Sequence, residues 1–215
     1  MTFDDCSDIC SSIKQPERFP KIPSVGRKLS NRTIKPFKQG HLDGLCGIYA
    51  IINGFRLVLG RRFNQSKCEH LFNFLTQFAI KELGLLDLVS EGIGLRQMQQ
   101  LLTQSSEYLD DCICGQFEPG IIIKQPWRTK SSRVGVQYTK ELNEFLTNQR
   151  TAVIIGIDHP IDHWTVLRRD NIGHVGFFDS GSLSGRANNK LIISTRKIKK
   201  ERANTGSPQA VFFLV

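Results

Sequence analysis

Gln39-Gly40-His41-Leu42-Asp43-Gly44-Leu45-Cys46-Gly47-Ile48-Tyr49-Ala50 places a cysteine between two nearby glycines, at the head of an apolar run. The residues that follow include Ile48, Ile51, Ile52, Phe55, Leu57, Val58 and Leu59. They are spaced too closely for a one-faced surface helix, so the pattern predicts a helix buried on most sides. Gly60 with Arg61-Arg62 reads as its stop. A cysteine in the first turn of such a helix is held rigidly, and unpaired helix amides together with a cationic partner favour a thiolate. The plain alternative is a core cysteine, because free Cys is among the most buried residue types. The choice rests on what the rest of the chain supplies.

The downstream half supplies strands. Thr151-Ala152-Val153-Ile154-Ile155-Gly156-Ile157 is continuous and β-branched, as a central buried strand is. Trp164 to Arg168 and His174 to Phe178 read as two further strands, joined by an Asp170-Asn171-Ile172-Gly173 hairpin turn. This topology makes His163, at the start of one strand, a neighbour of Asp179, at the end of the next. Nucleophile, base and orienting acid then follow in the order Cys46, His163, Asp179, the arrangement of a thiol hydrolase. His41, His159 and His174 are the rival bases, and Asp162 and Asp170 the rival acids. Trp164 favours His163, since an adjacent indole can shield the imidazole from water.

The Gln39–Ala50 segment, the His163-Trp164 pair and Phe178-Asp179-Ser180 together resemble the papain-like cysteine peptidase superfamily, across about residues 33–215. The resemblance implies a glutamine upstream of the cysteine that donates to the oxyanion, which maps onto Gln39. Asp43-Gly44-Leu45-Cys46 is also similar to the Asp-Gly-x-Cys signature of ovarian-tumour deubiquitinases, where backbone amides near the aspartate help form the oxyanion hole. The histidine–acid arrangement looks more like bacteriocin-processing peptidases and bacterial effector proteases. The implied activity is hydrolysis of a peptide or isopeptide bond, with no metal or organic cofactor. Acyl transfer on the same scaffold, or a silent basic binding module, are the other readings.

The remaining sequence fits a single catalytic domain behind a leader. Residues 1–32 carry Pro16, Pro20 and Pro23 without periodicity and read as a flexible N-terminal leader, leaving 33–215 as the domain. Ser66-Lys67-Cys68-Glu69 matches a capping box that opens a helix burying Leu71, Phe72, Leu75, Phe78 and Ala79. A helix over Gly94–Leu102, a strand from Ile121, a short helix over Glu141–Gln149, and strands at Leu191–Ser194 and Val211–Leu214 complete the pattern. Helices first and strands later predict an α+β fold, with N-terminal helices packed on a C-terminal antiparallel sheet and a cleft between them.

Composition bounds the partners. No stretch is apolar enough for a transmembrane helix, and Met1–Ser12 lacks the features of a signal peptide, so a cytoplasmic protein is expected, with non-Sec export open. The irregular spacing of six cysteines does not make a disulfide framework, and neither Cys6/Cys10 nor Cys112/Cys114 has the spacing of a zinc site. The net charge is +9, with Lys35, Lys38, Arg61 and Arg62 flanking the cysteine segment. A basic run at Arg196–Arg202 reads first as a solvated loop and otherwise as a surface steering an acidic protein or peptide substrate, a nucleic acid or an anionic membrane. No nucleic-acid-binding module accompanies it.

Overall fold

Strand β2, Ala152–Ile157, is buried along its whole length, because both faces of the sheet are covered. Ala152 and Ile154 join the helical core, whereas Val153, Ile155 and Ile157 pack with Leu142 and Leu146 on the other side. That burial explains why the strand reads as a continuous apolar run rather than an alternating one. The computed structural model describes residues 34–40, 44–113, 123–124, 142–147, 150–157, 162–170, 173–181, 183 and 208–214. All belong to one unit, Ile34–Val215.

Among the described residues four α-helices precede the first strand: α1 Cys46–Leu59, α2 Gln65–Leu83, α3 Leu85–Ser90 and α4 Leu95–Ile113. Among the described residues the sheet has five strands, β1 Ile123–Lys124, β2, β3 His163–Arg169, β4 Val175–Phe177 and β5 Pro208–Leu214. Their order is β1-β5-β2-β3-β4, and every pairing is antiparallel. The fold is α+β. The last strand in sequence enters the sheet beside β2, which gives β2 a neighbour on each edge.

Helix α1 packs on β2 and β3 and is covered on its outer side by α2. Ile48, Ile51 and Phe55 of α1 are 0% exposed, and each such burial stabilises the fold by about 1.5–3 kcal/mol. Gly54 lets α1 approach the sheet, since a Cβ there would stand 2.7 Å from Leu214 Cδ1. The chain leaves α1 at Gly60, where φ is +60°, a conformation that suits glycine.

Several expected details differ. The cap of α2 is Asn64, whose side-chain oxygen accepts the Lys67 N–H at 3.0 Å, so the helix starts before Ser66 and the capping box does not form. Helix α4 runs to Ile113, well past Leu102, because Ser105 lies inside it, buried, and satisfies its hydroxyl on the Leu101 carbonyl at 2.6 Å. Of the helix expected over 141–149, the described residues 142–145 are helical and 146–147 form a turn. Helix α3 gave no sequence signal. The leader, the Leu191–Ser194 strand and the basic Arg196–Arg202 run lie outside the described residues.

An irregular arm, residues 34–40, is stapled to the domain before the chain reaches Cys46. Asn53, 0% exposed in the middle of α1, accepts the Phe37 N–H at 2.8 Å and donates to the Phe37 carbonyl at 3.1 Å. Arg56 donates to the Lys35 carbonyl at 2.8 Å and stacks over the Phe37 ring. A buried amide that would otherwise be costly is satisfied at both ends by one backbone unit.

Candidate active site

Cys46 is the first residue of α1 and is 8% exposed. The opening amides of a helix have no intrahelical acceptor, so the backbone around the sulfur is rich in donors. The two flanking glycines have a steric reason. A Cβ on Gly44 would lie 2.7 Å from the Leu88 carbonyl oxygen and 2.8 Å from that of Val89. One on Gly47 would lie 3.0 Å from both Ile93 Cδ1 and Met98 Cε. The end of α3 and the loop after it therefore press directly on the turn that carries the cysteine.

His163 opens β3, paired with Ile157, and its side chain is 15% exposed. Its Nε2 lies 2.7 Å from Oδ1 of Asp179. Asp179 reaches that position because the β3–β4 ladder continues past its last pair, with the Phe178 N–H donating to the Val166 carbonyl at 2.8 Å. The second carboxylate oxygen, Oδ2, accepts the Gly181 N–H at 2.8 Å and the Leu183 N–H at 3.1 Å. Asp179 is 2% exposed, so both oxygens exchange water for protein donors.

The electrostatics follow from those contacts. Burial alone pushes the His163 imidazole down, but hydrogen bonds to Asp179 and Cys46, together with their charges, outweigh it and raise its pKa to about 9. Burial pushes the Asp179 carboxyl up, yet the His163 and Thr165 side chains, the imidazolium charge and the Leu183 amide carry it below its ordinary value. The Thr165 hydroxyl acts through proximity, since no atom lies in hydrogen-bonding geometry with its oxygen. The other described free thiol is different: burial pushes Cys68 up to about 11, and it sits 2% exposed in the core.

Gln39 and Lys38 close the site from the arm. The Gln39 N–H donates to the Ser180 carbonyl at 2.9 Å, and the Ser180 hydroxyl donates to Gln39 Oε1 at 3.3 Å. The Lys38 ammonium donates to the carbonyls of Asp179 at 3.1 Å and Gly181 at 2.9 Å. Its place in the sequence suggested a steering charge, but its head group turns back on to the acid-bearing turn. A Cβ on Gly181 would stand 3.2 Å from Asp179 Oδ2, so a side chain there would press on the carboxylate.

The rival residues separate cleanly where they are described. Asp170 accepts the His174 N–H on Oδ1 at 2.8 Å and closes the hairpin, at the opposite end of β3 from His163. Asp162 is exposed. His41, Asp43 and His159 lie outside the described residues, as do Cys6, Cys10, Cys114 and the Cys112 side chain. Trp164 does not cover the imidazole from the adjacent position. Strand alternation sends the indole to the opposite face, where it packs over Gly156 and its Nε1–H donates to the Ile93 carbonyl at 2.5 Å. The sequence carries no signal for Asn53, a lone Asn in a helix, and it places Ser180 and Gly181 beside the acid without indicating the backbone contacts they make.

Cys46, His163 and Asp179 thus form one connected set, able to pass a proton between sulfur and imidazole while the carboxylate holds the ring. Among the described residues no group of His, Cys, Asp and Glu is arranged to hold a metal ion, and no helix is long and apolar enough to cross a membrane. No protein-family model, curated protein or solved structure matches the chain.

Proposed function

We propose that the chain is a papain-like cysteine peptidase, cleaving a peptide or isopeptide bond in a protein or peptide substrate. The observation that carries this reading is that one imidazole, His163, pairs at 2.7 Å with a buried, fully satisfied carboxylate and lies close enough to Cys46 for the thiol to raise its pKa. The Cys46 sulfur attacks the scissile carbonyl carbon, and the C=O π pair moves on to oxygen. The Cys46 N–H and the Gln39 side-chain amide are the proposed donors to that oxyanion. Collapse of the tetrahedral species breaks the C–N bond, and His163 delivers its proton to the leaving amine. The resulting thioester is attacked by water, whose proton passes to the now neutral His163, and Cys46 is released. Asp179 keeps the ring oriented and stabilises the imidazolium through both half-reactions. The net charge of +9 suits an acidic substrate, and a reactive thiol suits a reducing, cytoplasmic setting.

The test is trapping at the sulfur. Incubation with peptide and isopeptide-linked fluorogenic amides should give turnover that iodoacetamide and Cys46→Ser abolish. Mass spectrometry of a rapidly quenched reaction should find the acyl group on the Cys46 peptide. Turnover that survives Cys46→Ser would overturn the assignment. An acyl group transferred to an added amine in preference to water would move the chain to the acyltransferases.

A further inference from the structure

The contact between the arm and the acid-bearing turn has a direction. Lys38 and Gln39 are consecutive, and they bind the consecutive residues 179, 180 and 181: Lys38 Nζ takes the carbonyls of Asp179 and Gly181, and the Gln39 N–H takes that of Ser180. The same turn offers the Gly181 N–H to Asp179 Oδ2 at 2.8 Å. Orientation of the carboxylate therefore depends on the turn's shape, and the ammonium grips both carbonyls flanking Ser180. We propose that Lys38 is a positioning residue: its ammonium fixes the 179–181 turn and, through it, the carboxylate that orients His163. An ammonium suits this task because its three donors can serve two carbonyls at once, with the charge strengthening both bonds.

The consequence is a lysine that acts on the base without touching substrate. Loss of the ammonium frees the turn, lengthens the Asp179–His163 contact and lets the imidazole lose its proton more easily. The proposal rests on the peptidase reading for its effect on turnover, but its effect on His163 does not require any substrate.

The experiment uses the full chain with Lys38→Met, which keeps the stem, and Lys38→Arg, which keeps the charge and donors. Histidine NMR titration should show the His163 pKa of about 9 moving towards its ordinary value in Lys38→Met and recovering most of the difference in Lys38→Arg. On a cleaved amide, Lys38→Met should lower kcat by about tenfold to a hundredfold, as for a sub-ångström misplacement of catalytic groups, and leave KM nearly unchanged. An unmoved His163 titration in Lys38→Met overturns the proposal, and so does a loss confined to KM. Were Lys38→Met not to fold, Lys38→Gln supplies the same titration with a shorter neutral donor. A shifted titration in a chain that cleaves nothing would sink the peptidase reading and leave the role of Lys38 standing.

Discussion

His163 Nε2 stands 2.7 Å from Asp179 Oδ1, which commits that nitrogen to the acid and makes Nδ1 the nitrogen available to the Cys46 thiol. The two residues arrive from adjacent antiparallel strands, and the acid's other oxygen is held by the amides of its own turn. The ring is therefore held in one orientation before any substrate arrives, as the imidazolium below about pH 9. The first three predictions concern that chemistry and its support.

Replacement of Cys46 by Ser should retain the fold and remove activity by about three orders of magnitude or more, because nucleophile and base act as a unit. Alkylation mapped by mass spectrometry at mildly acidic pH should modify Cys46 ahead of Cys68, whose pKa is pushed up to about 11 in the core. Cys46 should also outpace Cys6 and Cys10 there, and His163→Ala should erase its lead. Equal labelling of Cys46 and the two N-terminal cysteines in the parent chain would defeat the prediction.

His163→Ala should cost nearly as much as loss of Cys46, and Asp179→Asn about 10²–10⁴-fold, since the amide favours the wrong tautomer. In the parent chain the imidazolium is lost as pH rises through about 9. The rate should therefore fall on the alkaline side with an apparent pKa near that value, and Asp179→Asn should move this limb to lower pH. An alkaline limb that ignores Asp179→Asn would show that His163 does not set it.

Asn53→Leu tests the staple between α1 and the arm. The change leaves the Phe37 N–H and carbonyl without their partners in a part-buried setting, which should cost up to about 1–3 kcal/mol of stability for each group that water does not reach. Denaturant melts measure the cost directly. A midpoint equal to that of the parent chain would mean that the arm is held without Asn53.

Much of this arrangement is legible before any coordinates. Cys46, the β3–β4 hairpin and the α+β order follow from apolar periodicity and turn chemistry, which are local properties of the chain. The Asn64 cap was hidden because Ser66 and Glu69 supply a complete capping signature only two residues on, and tertiary placement selects between the two starts. Helix α3 is short, with Leu85 and Leu86 60% and 78% exposed, so it shows no buried stripe to read. Lys38, Ser180 and Gly181 act through backbone carbonyls and missing atoms far away in sequence, and such contacts leave no pattern in residue type. Gly44 is intermediate: its presence is conspicuous, but its reason lies in the carbonyls of Leu88 and Val89.

Gly44→Ala follows from that reason. The added methyl would sit 2.7–2.8 Å from two backbone carbonyl oxygens, and neither can move without displacing the end of α3. The strain should cost about 1–3 kcal/mol, as overpacking does. It should also lower the Cys46 alkylation rate, because the displaced turn carries the sulfur. Gly47→Ala meets Ile93 Cδ1 and Met98 Cε at 3.0 Å and Ile93 Cβ at 3.1 Å, side-chain atoms and no backbone carbonyl, and should be milder on both counts. The reverse ranking in melts and labelling rates would show that the Gly44 contact is not what constrains the turn.

Stability should depend on pH through the same histidine. Its folded pKa of about 9 lies above the ordinary 6.5, so the folded state holds the proton more tightly than the unfolded chain does. The resulting stabilisation is fully present below pH 6.5 and is lost as pH rises through about 9. Asp179 works in the opposite sense: its folded pKa lies below the ordinary 3.8, so its contribution is present above pH 3.8 and lost as pH falls through the depressed value. His163→Gln removes the titrating group while keeping a neutral donor for Asp179. Urea unfolding across this range should therefore show the parent chain losing its advantage over His163→Gln between pH 6.5 and about 9. A constant difference over that window would mean that His163 has the same proton affinity folded and unfolded, contrary to its buried contact with Asp179.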